Sequence, residues 1–167
     1  MIQEEITDIN EIDAVLSEAK ICRMALLDNG RPHIVPMLFG YCLTYEKPEF
    51  YFRCDETNEL IDIIKRNNKA AFEIDRLYKI VPSDENTGLV EAVYEFVAGT
   101  GTMEFVTGID KITGFSRIHK KYNEKSGEFN ISEHTLNSIA VLKLTTSEIV
   151  CKKQYAKDGS PAVGSPI

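Results

Sequence analysis

No Gly-x-Ser-x-Gly elbow, P-loop or His-Glu-x-x-His pair occurs in the 167 residues, so the hydrolase and phosphoryl-transfer readings that rest on those motifs have no support. The Gly99-Thr100-Gly101 segment lacks the third glycine and the βαβ setting of a dinucleotide fingerprint. No apolar run approaches the roughly 20 residues of a membrane span, and acidic residues follow Met1 where a secretory signal would be basic. A cytoplasmic protein with no membrane partner is therefore expected. Positive charge is also short. Nineteen Lys and Arg against 26 Asp and Glu give a formal net charge of -7, which argues against general nucleic-acid binding, because that depends on a basic surface. Cys22, Cys42, Cys54 and Cys151 show no C-x-x-C spacing and no nearby histidine pair. A metal site is not expected, and reduced, structural thiols are. His33, His119 and His134 are equally scattered, and His33 reads as an outward or dimer-facing side chain on its strand.

What is present is ordinary soluble composition, 43% hydrophobic and 27% charged, in a length that suits one domain with a sizeable core. We expect that domain over residues 1–150. A flexible tail is expected over 151–167, where Gly159, Ser160, Pro161, Gly164, Ser165 and Pro166 cannot bury enough surface to order themselves.

The most informative stretch runs from Met24 to Tyr41. Asp28-Asn29-Gly30 separates two β-forming runs, and Asn-Gly there predicts a hairpin because both central turn residues must accept positive φ. Pro32 and Pro36 in the second run donate no ladder hydrogen bond, so that strand must lie at an edge, a rim or a bulge.

Elsewhere, Thr7 or Asp8 caps a helix whose stripe is Ile9, Ile12, Val15, Leu16 and Ala19. Phe50 to Cys54 reads as a strand, and Thr57 as the cap of a helix from Asn58 to Arg66. Such a helix start would offer free N–H groups to a phosphate. A strand follows from Lys69 or Ala70 to Leu77, and a polar loop from Pro82 to Gly88. Leu89 to Val106 is one long strand or two, with Gly99 and Gly101 permitting the sharp bend that closes a small barrel. Asp110 to Tyr122 has helical periodicity, with Lys111 on a solvent face, and Ile139 to Leu144 is the last strand.

The run Gly30-Arg31-Pro32-His33-Ile34-Val35-Pro36-Met37-Leu38-Phe39-Gly40-Tyr41, followed by Phe50-Tyr51-Phe52 and then Ile61 to Asn67, resembles the nitroimidazole-resistance branch of the pyridoxamine 5'-phosphate oxidase-like flavoproteins. The matching block covers about Cys22 to Asp75, with weaker similarity through Tyr94 to Phe105. The resemblance implies a mainly β fold with flanking helices, a Greek-key-like split β-barrel that binds FMN at a homodimer interface. It also implies site residues. Val35, Pro36, Met37 and Leu38 would lie against the isoalloxazine edge, and Arg53, Cys54 and Asn58 would face the phosphate; Arg23 is a further cation, whose guanidinium can fork to phosphate oxygens.

The chain departs from the resembled family at this last corner. There the family carries His-Ser-Ala and a Gly-Lys-Lys type segment; here the positions are Arg53, Cys54 and Asp55, then Asn58, Glu59 and Leu60. The lysines are absent, and carboxylates are added at Asp55, Glu56 and Glu59, each of which repels a phosphate dianion unless it points outward. Two functions stay open at this point. One is an FMN-dependent oxidoreductase that reduces a small, nitroaromatic or other unsaturated substrate through flavin N5, with a nicotinamide electron donor. The other is a non-catalytic dimeric split-barrel protein that binds flavin or haem. FAD, a deazaflavin and haem remain alternatives to FMN, and no catalytic side chain is singled out.

Overall fold

Asn29 and Gly30 both adopt positive φ, 49° and 82°, the conformation that a two-residue hairpin turn demands. They join β2 (Cys22–Asp28) to β3 (Arg31–Met37) in register from Asp28↔Arg31 to Cys22↔Met37. The computed structural model describes residues 2–44, 48–82, 88–123 and 129–155. Its remaining elements are β1 (Ile2–Glu5), α1 (Ile9–Glu18), β4 (Gly40–Cys42), β5 (Glu49–Asp55), α2 (Leu60–Arg66), β6 (Lys69–Pro82), β7 (Val90–Val106), α3 (Gly108–Tyr122), α4 (Glu133–Ser138) and β8 (Ile139–Tyr155). The sheet order is β3-β2-β6-β7-β8-β5-β4, with β1 paired to β8. β3 therefore ends the order, as its two prolines require.

The chain divides into two compact units. Neither is contiguous in sequence, and β6, β7 and β8 contribute to both. The first comprises residues 1–19, 73–98 and 149–167. In it Asp8 caps α1 by accepting from the Asn10 and Glu11 N–H groups (2.9 and 3.2 Å). Val15 and Leu16 are buried from this helix. Arg76 is also buried, held by Glu18 and Glu95 and by the Ala14 carbonyl. Tyr78 donates to the same Glu95 at 2.7 Å, so one carboxylate serves both groups. The expected flexible tail does not begin at residue 151. Cys151 to Tyr155 continue β8, because β1 pairs with residues 152–155. The rest of that tail, and residues 83–87 of the expected loop, lie outside the described residues.

The second unit comprises residues 20–72 and 99–148. Phe39, Phe50, Phe52, Met24, Met103, Leu142 and Leu144 are among its fully enclosed side chains. β7 runs unbroken, and a Cβ at Gly99 or Gly101 would collide with the Glu148 or Thr145 carbonyl of β8. Close strand approach, and not a break, is what excludes a side chain there. α3 packs on β4 and β5 in the same way: a Cβ at Gly40 would meet the backbone of Arg117 and Ile118, and one at Gly114 would lie 2.6 Å from Tyr51 Cδ1.

A candidate flavin groove in the second unit

β3 ends at Met37 and β5 ends at Asp55, and the residues at these two ends face one another across a groove of about 250 Å³. Its walls are Val35, Pro36, Met37 and Leu38 on one side, and Arg53, Cys54, Asp55, Asn58 and Leu60 on the other. Seven of the eight site residues read from the sequence are thus brought together. Arg23 is not among them. It stands opposite Pro36 on β2, with an exposed side chain. His33 is half-buried and sits opposite buried Leu26, on the same strand face as Val35 and Met37, so the outward reading of His33 is corrected.

Two halves of the groove differ in chemistry. Val35, Pro36, Met37 and Leu38 make an apolar wall suited to a flat ring. Arg53, Asp55 and Asn58 make a polar end, and all three residues are exposed. Cys54 lies between the two. Burial, reinforced by the Asp55 and Glu56 carboxylates, pushes its thiol up to about 11. It stays protonated at neutral pH and is neither a nucleophile nor a good metal ligand.

The strand-to-helix corner departs from the sequence reading. Asn58 N–H donates to the Asp55 carbonyl (2.9 Å), and the turn this closes delays the helix to Leu60, away from Thr57. The Leu60 N–H then donates to Asn58 Oδ1 (3.0 Å), Ile61 to the Asn58 carbonyl and Asp62 to the Glu59 carbonyl. These donors are already satisfied within the chain. The seven-residue α2 thus offers no open cradle of N–H groups to a phosphate.

What the sequence did not reveal is how the β3 wall is held. Tyr122, at the end of α3, accepts the Phe39 N–H (3.1 Å) and donates to the Lys20 carbonyl (2.8 Å). It ties the residue after Leu38 to the residue two before β2. Lys121 Nζ lies 4.6 Å from the Phe39 ring centre. Helical periodicity reached Tyr122, but no local pattern names a partner 83 residues away. Lys111, expected on a solvent face, instead reaches Glu56 Oε1 at 3.6 Å with little side-chain exposure. Among the described residues no group of three or more His, Cys, Asp or Glu side chains is arranged to hold a metal, and no helix is long and apolar enough to cross a membrane.

The sequence profile of the pyridoxamine 5'-phosphate oxidase family matches residues 8–153. The chain belongs to this family. Solved structures agree on the fold. A protein described as a 5-nitroimidazole antibiotic resistance protein from Bacteroides thetaiotaomicron superposes with a TM-score of 0.75 at 21% identity, over 91% of this chain and 87% of the other. An FAD and haem binding protein from Mycobacterium smegmatis gives 0.74 at 15% identity, over 98% and 75%. An FAD-binding protein from Mesorhizobium loti gives 0.62 at 13%, over 93% and 100%. No curated protein matches the chain. At these identities the likeness is one of fold, mainly antiparallel β-sheet with a few helices.

Proposed function

We propose that the groove between β3 and β5 holds a flavin and that the protein is a flavin-dependent oxidoreductase of the nitroimidazole-resistance branch. It would reduce a small nitroaromatic or other unsaturated substrate with electrons from a nicotinamide donor. The observation that carries this reading is the groove itself, where an apolar wall from Val35 to Leu38 faces the polar end at Arg53 and Asn58. A bound flavin supplies hydride transfer through N5, chemistry that the chain's own side chains lack. The chain's part is to bind and orient. The β3 wall is fixed through Tyr122, and the protonated Cys54 thiol presents a neutral surface.

The ring half of the groove fits an isoalloxazine; the phosphate half fits FMN poorly, with one cation and no free helix N–H groups. One protomer's groove is also small, about 250 Å³ against the roughly 300 Å³ or more of ordinary ligand sites. We therefore place a second copy over the ring, in a homodimer. A non-catalytic flavin carrier is the second reading, favoured by the same poor phosphate corner. Haem is less suited, because no His lines this groove and its cysteine is held protonated.

The purified protein, reconstituted with flavin, should show twin flavin bands and bleach under a nicotinamide donor without oxygen. It should be reoxidised by a nitroaromatic, and light scattering should give a dimer. A protein that stays colourless with every flavin would overturn the proposal. Bleaching without reoxidation by any acceptor would leave only the carrier.

A further inference from the structure

Resting on the flavin reading above, we infer that the second copy docks on the outer face of β2 and β3, and that its seat there closes the flavin groove. Strand alternation divides the hairpin into two faces. Cys22, Met24, Leu26 and Met37 are buried in the core, whereas Arg23, Leu27, Pro32, Ile34 and Pro36 fall on the opposite face and are exposed. The solvated face of an antiparallel sheet is ordinarily polar. This one carries Leu27 at 44% and Ile34 at 67% exposure. The exposed row on β3 then runs on through Pro36 to Leu38, and both of these line the flavin groove. Cover laid over Ile34 therefore reaches the groove.

Beside this ridge lies a hollow of about 400 Å³. It is lined chiefly by small residues of β2, β6, β7 and β8, among them Ala25, Ala71, Thr100, Gly101 and Ser147. Its polar side chains are engaged in place, since Thr100 and Ser147 share a hydrogen bond (3.1 Å) and Lys69 Nζ donates to Thr102 Oγ1 (3.1 Å). Apolar atoms can therefore enter without stranding them. A ridge next to a hollow on one face is self-complementary, because under a two-fold axis the ridge of each copy enters the hollow of the other. Charge selects the same occupant. A chain of net charge -7 repels its own copy over most of its surface, yet no carboxylate lines the hollow or stands in the exposed row of β2 and β3. The seven residues of β2, crossed by the five strands from β3 to β8, span roughly 24 Å by 24 Å. Side-chain relief brings that face close to the ~800 Å² per partner of a stable complex.

The test is sedimentation velocity of the full-length protein and three variants, with flavin affinity measured on the same samples by equilibrium dialysis. Ile34→Glu charges the ridge and Ala71→Arg fills the hollow; both positions are exposed, so the fold and its far-UV spectrum should be unchanged. Ile109→Glu is the control, an equally exposed change on α3, outside this face. The wild type and the control should sediment as dimers, and the other two variants as monomers. Uncovering roughly 60 Å² of apolar ring corresponds to about tenfold weaker binding, and the monomeric variants should lose flavin affinity by that factor. A monomeric wild type, or dimers that survive both substitutions, would overturn the inference. So would a monomeric variant that binds flavin as tightly as the wild type, since the groove would then need no second copy. A wild-type dimer that both substitutions break but that binds no flavin would leave the docking face standing and overturn the flavin reading.

Discussion

Replacing Gly114 by Ala separates what helix propensity alone implies from what the packing implies. Gly114 sits inside the 15-residue α3, and in an exposed helix the change to Ala would stabilise by about 1 kcal/mol. The site is buried, however, and the new Cβ would lie 2.6 Å from Tyr51 Cδ1 and 3.0 Å from Val141 Cγ1. Tyr51 cannot swing away freely. Its hydroxyl donates to Glu49 (3.0 Å), its ring lies under the Arg117 guanidinium, and the residue is 7% exposed. Forcing a methyl group into such packing costs about 1–3 kcal/mol. Set against the propensity gain, the expected outcome is a net loss of about 1 kcal/mol, or roughly 2–4 °C in Tm for a chain of this size.

Urea unfolding of the wild type and Gly114→Ala measures this directly. A control in the Tyr51→Leu background removes the clash, so there the same substitution should become neutral or stabilising, with a coupling of about 1 kcal/mol or more between the sites. A Gly114→Ala protein more stable than the wild type would refute the close seat of α3 on β5.

Three further outcomes follow from the same geometry. Tyr122→Phe leaves the part-buried Phe39 N–H without its acceptor, so stability should fall by about 1–2 kcal/mol and flavin affinity should fall with it; unchanged unfolding and binding would dissociate the clamp from the groove. In the folded protein a thiol reagent should modify Cys42 first, since Cys22, Cys54 and Cys151 are buried and burial raises the last two thiols; rapid reaction at a second cysteine would contradict this. Glu49 is held below its ordinary value of 4.5, chiefly by its hydrogen bond from Lys143. The unfolded chain therefore binds the proton more readily, and the contribution is present above pH 4.5 and lost as pH falls through the folded-state value. Glu49→Gln should flatten that acid limb in pH-dependent melts, and an unaltered limb would show that other carboxylates control it.

The features legible in the sequence were those whose cause is local. Asn29-Gly30 fixed a turn because of φ, Pro32 and Pro36 marked an edge because they lack a donor, and Asp8 was one of two named caps. The resemblance collected seven residues that the fold does bring to one groove. The features that were not legible depend on distant backbone. Gly99 and Gly101 read as a bend, yet their cause is the carbonyls of β8. Thr57 has the chemistry of a cap, yet the turn closed by Asn58 on Asp55 moves the helix start beyond it. β1 carries no alternation to betray it, because all four of its residues are exposed. α4 buries no residue and so leaves no stripe to read.

The register of the β2–β3 hairpin gives Pro32 and Pro36 a sharper meaning than an edge marker. A two-residue turn makes Asp28↔Arg31 a hydrogen-bonded pair, so Leu27↔Pro32, Ala25↔Ile34 and Arg23↔Pro36 are the non-hydrogen-bonded pairs. In such pairs the backbone N–H and C=O groups point away from the partner strand. Over residues 32–36 the free edge of β3 therefore presents three carbonyls and a single N–H, that of Ile34. A neighbouring strand needs donors and acceptors in alternation, and this edge cannot supply them. Continuation of the sheet by a second copy at β3 is therefore disfavoured. The same edge is rich in acceptors where it reaches Pro36 and the groove. It suits a flat ligand with an N–H on its rim, such as the pyrimidine edge of a flavin, better than it suits another polypeptide.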